Sequence, residues 1–196
     1  LLNGTIRNCS VGGKVTGDTS VGGIVGTLQG AMQNCQNDGI IDGYASVGGL
    51  VGRLAVGSIE SGINMGDVDG SSYVGGCVGN AENGSSLILC FNNATISCEQ
   101  FNAGGIAGGA FEVNYCLNQG RILGSNTLGG ICGSAEYVDY CYNEGPVIGT
   151  GNSVGGIAGE SFRITESINL GYVKGNNRTG GIVGESEFEL ISRCYN

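Results

Sequence analysis

One phrase dominates this chain. "VGGIVG" at residues 21–26 returns as "VGGLVG" (47–52), "VGGCVG" (74–79), "AGGIAG" (103–108), "LGGICG" (128–133), "VGGIAG" (154–159) and "TGGIVG" (179–184). The second glycine of each pair falls at 23, 49, 76, 105, 130, 156 and 181, so the steps are 26, 27, 29, 25, 26 and 25 residues. A fixed period between about 20 and 50 residues marks an array in which one structural unit repeats and stacks. Glycine loops that cradle phosphate occur once per nucleotide site and open a helix there. Seven occurrences with no Lys-Ser/Thr ending and no helical pattern behind them make the phrase architectural.

Aligning on the glycine pair brings other columns into register. The first reads Cys9, Cys35, Gly62, Cys90, Cys116, Cys141, Ser167 and Cys194. Two residues on stand Asn37, Asn64, Asn92, Asn118, Asn143, Asn169 and Asn196, with Val11 in the first repeat. Glycine follows two residues later except at Ala94, and then comes a column of Val15, Ile41, Val68, Ile96, Ile122, Val147 and Val173. Glycine returns two residues beyond, except at Cys98. Steps of two put these side chains on one face of an extended strand. Three residues before the cysteine column runs an aliphatic line: Ile6, Met32, Ile59, Leu87, Val113, Val138, Ile164 and Ile191. No window carries the i, i+3, i+4, i+7 rhythm of an amphipathic helix, so the chain reads as all-β.

Short strands, glycine bends and a repeat of about 26 residues predict a parallel β-solenoid (a β-helix) of about seven coils forming one domain over residues 1–196. Right-handed coiling is the default for parallel crossovers. Rungs about 4.8 Å apart stack like residues in ladders and make a rod of about 34 Å. No coil can bury its own apolar face, so stability comes from stacking. The glycines are expected to supply bends at φ > 0 and to let backbones approach closely.

Composition narrows the function. Glycine supplies 41 residues, proline one, and histidine and tryptophan none. The three-residue period of collagen is missing, and 40% apolar residues recurring in register argue against disorder. The net charge of −9 comes with eight scattered basic residues, which provide no stripe for nucleic acid. No apolar run approaches the roughly 20 residues of a membrane span, and no signal-peptide pattern opens the chain. The repeats begin and end mid-unit, so the chain reads as a segment of a longer protein with flanking coils on either side.

The glycine-pair box, "GGLVG" at 48–52 and looser elsewhere, together with the trailing C-x-N-x-G-x-[VI]-x-G phrase, resembles the GLUG-motif repeat family. The resemblance covers essentially the whole chain. Such repeats occur in bacterial cell-surface and secreted proteins, adhesin-like proteins among them, and in the non-catalytic region of immunoglobulin A metallopeptidases. It implies an extracellular or surface location and a role as stalk, spacer or adhesive segment. The zinc-peptidase motif of those metallopeptidases needs histidines, which are absent here.

Several residue sets invite chemistry. Six of nine cysteines share one column, but ladder side chains run parallel and do not converge tetrahedrally, so buried free thiols are expected over disulfides or zinc. The asparagines read as a stacked amide ladder. Glu82, Glu112, Glu136, Glu160, Glu185, Glu187 and Glu189 gather in the bend after the glycine box. They read as a solvated acidic corner, with a calcium site or a glycosidase pair as alternatives. Asn-x-Ser/Thr sequons begin at Asn3, Asn83, Asn93 and Asn177, as expected by chance in so Asn-rich a chain. No Ser-His-Asp or Cys-His set exists, and no cofactor is implied. The column after the cysteines (Ser10, Gln36, Ile63, Phe91, Leu117, Tyr142, Ile168, Tyr195) alternates outward if Cys and Asn point inward. Phe91, Leu117, Tyr142, Ile168 and Tyr195 are then a candidate binding stripe for a protein or glycan. The other possibility is a corner that tucks them against the aliphatic ladder. The expected function is non-enzymatic and structural or adhesive; the alternative is an accessory, substrate-positioning region of a secreted peptidase or polysaccharide-active enzyme.

Overall fold

The computed structural model describes residues 4–82, 84–186 and 190–196. Its strands form three sheets of 10, 7 and 11 strands, and every pairing is parallel and joins like positions of successive repeats. The chain is a parallel β-solenoid of about seven turns, with no helix among the described residues. The first sheet carries long strands such as Val51–Glu60, Ala107–Asn114 and Cys132–Asp139. The second is a narrow ribbon of two-residue strands, including Phe91–Asn92, Leu117–Asn118 and Tyr142–Asn143. The third begins at Lys14–Thr16 and contains the longer Val68–Gly75 and Ile96–Gly104.

The apolar columns form two cores rather than one. Met32, Ile59, Leu87, Val113, Val138 and Ile164 stack in register in the first, fully buried, with the box residues Leu50, Ile106, Ile131 and Ile157 and the column cysteines around them. Ile6 is partly buried and Ile191 is 37% exposed at the two ends of this line. The second core stacks Ile41, Val68, Ile96, Ile122 and Val147 with Val47, Val74, Leu128 and Val154. Between the two, the asparagine ladder meets the glycine boxes. A Cβ on Gly49, Gly105, Gly130 or Gly156 would overlap the carboxamide of Asn64, Asn118, Asn143 or Asn169 and also the glycine carbonyl of the next rung. The missing side chain makes room for the amide.

Bending is where structure and sequence part. The box glycines do not adopt φ > 0; among the described residues positive φ occurs at four glycines, Gly13, Gly30, Gly57 and Gly84. The sharp corners fall on non-glycine residues, twice per coil. One set precedes the cysteine column (Asn8, Asn34, Ser61, Leu89, Tyr115, Tyr140, Glu166, Arg193) and one precedes the box (Ser20, Ser46, Tyr73, Asn102, Thr127, Ser153, Arg178), with φ from 48° to 63°. The left-handed region costs a non-glycine residue about 1–2 kcal/mol, and in the first set a thiol or hydroxyl bonds back across every corner but that of Ser61. The box glycines instead permit close approach. A Cβ on the first glycine of each pair would collide with the carbonyl oxygen three residues on, as Gly48 with Val51 and Gly155 with Ala158.

Candidate functional site

Strand alternation on the narrow sheet sets the stripe. Asn64, Asn92, Asn118 and Asn143 are fully buried, and Cys90, Cys116 and Cys141 nearly so, which directs the residue between each pair outward. Ile63, Phe91, Leu117, Tyr142 and Ile168 are mutual partners on successive strands, and Ile168 bridges to Tyr195. Tyr142 is 45% exposed and Tyr195 65%, while Ile63, Phe91, Leu117 and Ile168 are half-buried among their neighbours. Six consecutive rungs therefore present apolar side chains over about 24 Å. Ser10 and Gln36 leave the first two rungs polar.

A second column lies across the corner from this stripe and was not singled out from sequence. Leu89, Tyr115 and Tyr140 are 53%, 55% and 43% exposed. The rings of Tyr115 and Tyr140 stack with centroids 4.9 Å apart and planes within 7°. These positions share the outward parity of the stripe, one residue before the cysteine instead of one after, and that parity was the available signal. Stacked rings cover each other's faces, so edges and hydroxyls face solvent.

The cysteine column is a corner brace. The Sγ of Cys35, Cys116 and Cys141 each donates to the carbonyl two residues back, at 3.3, 3.2 and 3.3 Å, across the left-handed residue between. Ser167 makes the same bond to the Thr165 carbonyl at 2.9 Å. The column also accepts: the Cys90 amide donates to Cys116 Sγ at 3.3 Å and the Cys141 amide to Ser167 Oγ at 3.1 Å. This explains why serine substitutes within the column. All nine cysteines are free, and only Cys9 is fully exposed. Burial pushes the thiols of Cys116 and Cys132 well above their ordinary range and that of Cys98 up to about 11.

The asparagine ladder is continuous. Each Nδ2 donates to the next rung's Oδ1, from Asn37 through Asn64, Asn92, Asn118, Asn143 and Asn169 to Asn196, at 2.6–2.8 Å. Each amide from Asn37 to Asn169 also donates to the carbonyl two residues ahead in its own coil, as Asn118 to Gly120 at 2.9 Å.

The glutamates form no continuous ladder, although Glu136, Glu160 and Glu185 line one surface groove. Glu160 and Glu185 are direct cross-rung partners, but Glu112 pairs with Ser86 and Tyr137 instead. Most are tied to neighbours: Glu82 accepts from Arg53 Nε at 2.7 Å, Glu112 from Asn114 at 2.9 Å, Glu160 from Thr127 at 3.2 Å and Glu185 from Ser153 at 3.0 Å. No three His, Cys, Asp or Glu residues converge on a metal-sized site among the described residues. Glu187 and Glu189 lie outside those residues, as do the sequon asparagines Asn3 and Asn83; Asn93 and Asn177 are exposed. Asp139 is the most buried carboxylate of an ion pair, held by Arg163 Nη2 at 2.7 Å and by Thr165 Oγ1, with the guanidinium 4.6 Å from the Tyr137 ring centroid.

Comparison with known proteins returns no matching family model, no matching curated protein and no matching solved structure. Among the described residues no helix is long and apolar enough to cross a membrane. The fold and its ladders define the class, a parallel β-solenoid repeat protein.

Proposed function

We propose that this chain is a non-enzymatic structural and adhesive solenoid of a bacterial cell-surface or secreted protein, a rigid spacer that also carries a contact surface. The observation that carries this reading is the stripe. Six apolar side chains, Ile63 to Tyr195, stand in register on one outer face, with Leu89, Tyr115 and Tyr140 beside them. Monomeric proteins seldom leave such a patch uncovered. The surface location rests on the resemblance of the repeats to the GLUG family. A protein partner fits better than a glycan, because stacked tyrosines offer ring edges where sugars need ring faces.

The test is Phe91→Ser combined with Tyr142→Ser. Both side chains reach solvent, so the unfolding free energy is expected to move by no more than about 1 kcal/mol. Adhesion or self-association of the parent protein is expected to fall. A loss of several kcal/mol, or unchanged adhesion in a variant of unchanged stability, overturns the assignment.

A further inference from the structure

A second surface lies on the third sheet. The third sheet bends inward along the column Gly17, Gly43, Gly70, Gly124. A Cβ on Gly43 would lie 2.8 Å from Val21 Cγ2 and 2.9 Å from Val47 Cγ2, so the chain there runs hard against the second core. The outer face at this bend is a groove of about 800 Å³ crossing five rungs. That volume is in the range of small-molecule sites. Its lining includes one carboxylate from each of the first four rungs' neighbourhoods: Asp18, Asp42, Asp69 and Glu99, with the ring of Tyr44 between.

Three features suit this groove to a positively charged ligand. Asp42 and Asp69 are direct cross-rung partners, an unfavourable juxtaposition of like charges. Only Asp42 has an ion-pair partner among the described residues, Lys14 at 3.1 Å; Asp18, Asp69 and Glu99 have none. Ser71, another lining residue, is 3% exposed, and its Oγ is buried with no hydrogen-bond partner. Buried hydroxyls are normally satisfied.

We propose that this groove binds a linear aliphatic polyamine lying along the rod axis. Its ammonium groups would pair with Asp18, Asp69 and Glu99, donate to the Ser71 hydroxyl, and lay methylenes over Tyr44 and the glycine bend. A metal ion fits poorly, because the carboxylates are strung one to a rung and do not converge. A peptide strand fits poorly as well. The floor's backbone amides are already used within the solenoid, Gly17 to Asp42, Gly43 to Asp69, Tyr44 to Asp18 and Ser71 to Tyr44, leaving no edge to augment. From the rung of Asp18 to that of Glu99 is about 14 Å at the spacing of parallel strands, comparable with extended spermine.

Isothermal titration of the whole chain with spermine, at low and at near-physiological ionic strength, tests this. The expected result is one spermine per chain, with affinity falling as salt rises. Asp18→Asn/Asp69→Asn/Glu99→Gln should weaken it about tenfold or more, at the worth of three exposed ion pairs. The charge-matched Asp38→Asn/Glu60→Gln/Glu144→Gln should not. Ser71→Ala should weaken binding a few-fold without lowering the melting temperature, since its hydroxyl has no partner to lose. Should the triple variant fail to fold, Asp69→Asn alone is measured, with about threefold weakening expected. Equal weakening by both triple variants, or no binding at either ionic strength, overturns the proposal. So does stoichiometric displacement by Ca²⁺, which would make this a metal site, or tighter binding of tetralysine, which would make it a peptide site.

Discussion

Asn118 offers the sharpest test of what holds the rungs together. Its side chain is fully buried and makes four hydrogen bonds: to Asn143 Oδ1 at 2.8 Å, to the Gly120 carbonyl at 2.9 Å, from Asn92 Nδ2 at 2.8 Å and from the Gly120 amide at 3.1 Å. Asn118→Ala deprives all four partner groups at once, and the Nδ2 of Asn92 retains only its bond to the Ala94 carbonyl. At roughly 1–3 kcal/mol for each buried group left unpaired, softened where water enters the space beside Gly105, the loss is about 3–6 kcal/mol. That is a large share of the 5–15 kcal/mol typical of a folded domain. Urea unfolding followed by far-UV circular dichroism reads it. The ladder also predicts coupling. Asn92→Ala and Asn118→Ala share a bond, so their combination should fall short of additivity by about 0.5–3 kcal/mol, whereas Asn37→Ala with Asn143→Ala should add. A loss below 1 kcal/mol for Asn118→Ala, or additivity in both pairs, would refute the amide ladder as a source of stability.

Two further outcomes follow from the same core. Ile164→Asp places an unpaired charge at a fully buried rung between Val138 and Ile191, and the melting temperature should collapse with a loss of several kcal/mol; a soluble variant with unchanged melting temperature would contradict the register. Counting thiols with a small reagent should find Cys9 reactive in the native protein and all nine in denaturant, and the Cys98 thiol should leave a mark on alkaline unfolding. Its folded pKa is raised to about 11 by burial against an unfolded value near 9.0, so its contribution is complete below about pH 9 and is lost as pH climbs toward 11. At 1.36 kcal/mol per unit this amounts to about 3 kcal/mol; Cys116 and Cys132, also raised by burial, act in the same direction, so Cys98→Ala should remove only its own share of the alkaline loss.

Periodicity made the fold legible because a ladder repeats its demands. Each rung after the first has an apolar residue at the Ile164 position and an amide at the Asn118 position, so columns of like residues appear wherever the register is correct. Outward parity located Tyr142 for the same reason. The corners were not legible. Left-handed residues are usually recognised as Gly or Asn, yet here the role falls to Leu89, Tyr115, Tyr140 and Glu166. What makes those conformations tolerable is the thiol or hydroxyl one residue later, which bonds back across the corner, as Cys141 does to the Asp139 carbonyl. That partnership is tertiary and leaves no composition signal. The glycines misled in the opposite direction: their abundance suggests φ > 0, but their work is to leave volume for a neighbouring carbonyl or an asparagine amide. The inward bend that forms the acidic groove was hidden too, because it depends on Gly43 lying against Val47 of its own coil and Val21 of the preceding one.

The ladder geometry also bounds how strongly one rod can adhere in the proposed role. The stripe runs about 24 Å, and a band about 10 Å wide gives roughly 240 Å². Stable protein–protein contacts bury about 800 Å² on each side. Adding the corner column of Leu89, Tyr115 and Tyr140 widens the patch without closing that gap. A single stripe therefore supports only a weak contact, and strong attachment has to come from several stripes engaged together, each raising the effective concentration of the next. Because every rung of the stripe is locked by the amide ladder, neighbouring side chains are presented in fixed register, and little entropy is lost in ordering them on contact. It follows that Asn118→Ala and Tyr142→Ser should weaken adhesion differently. The first would loosen the platform and lower stability and adhesion together, while the second would lower adhesion alone.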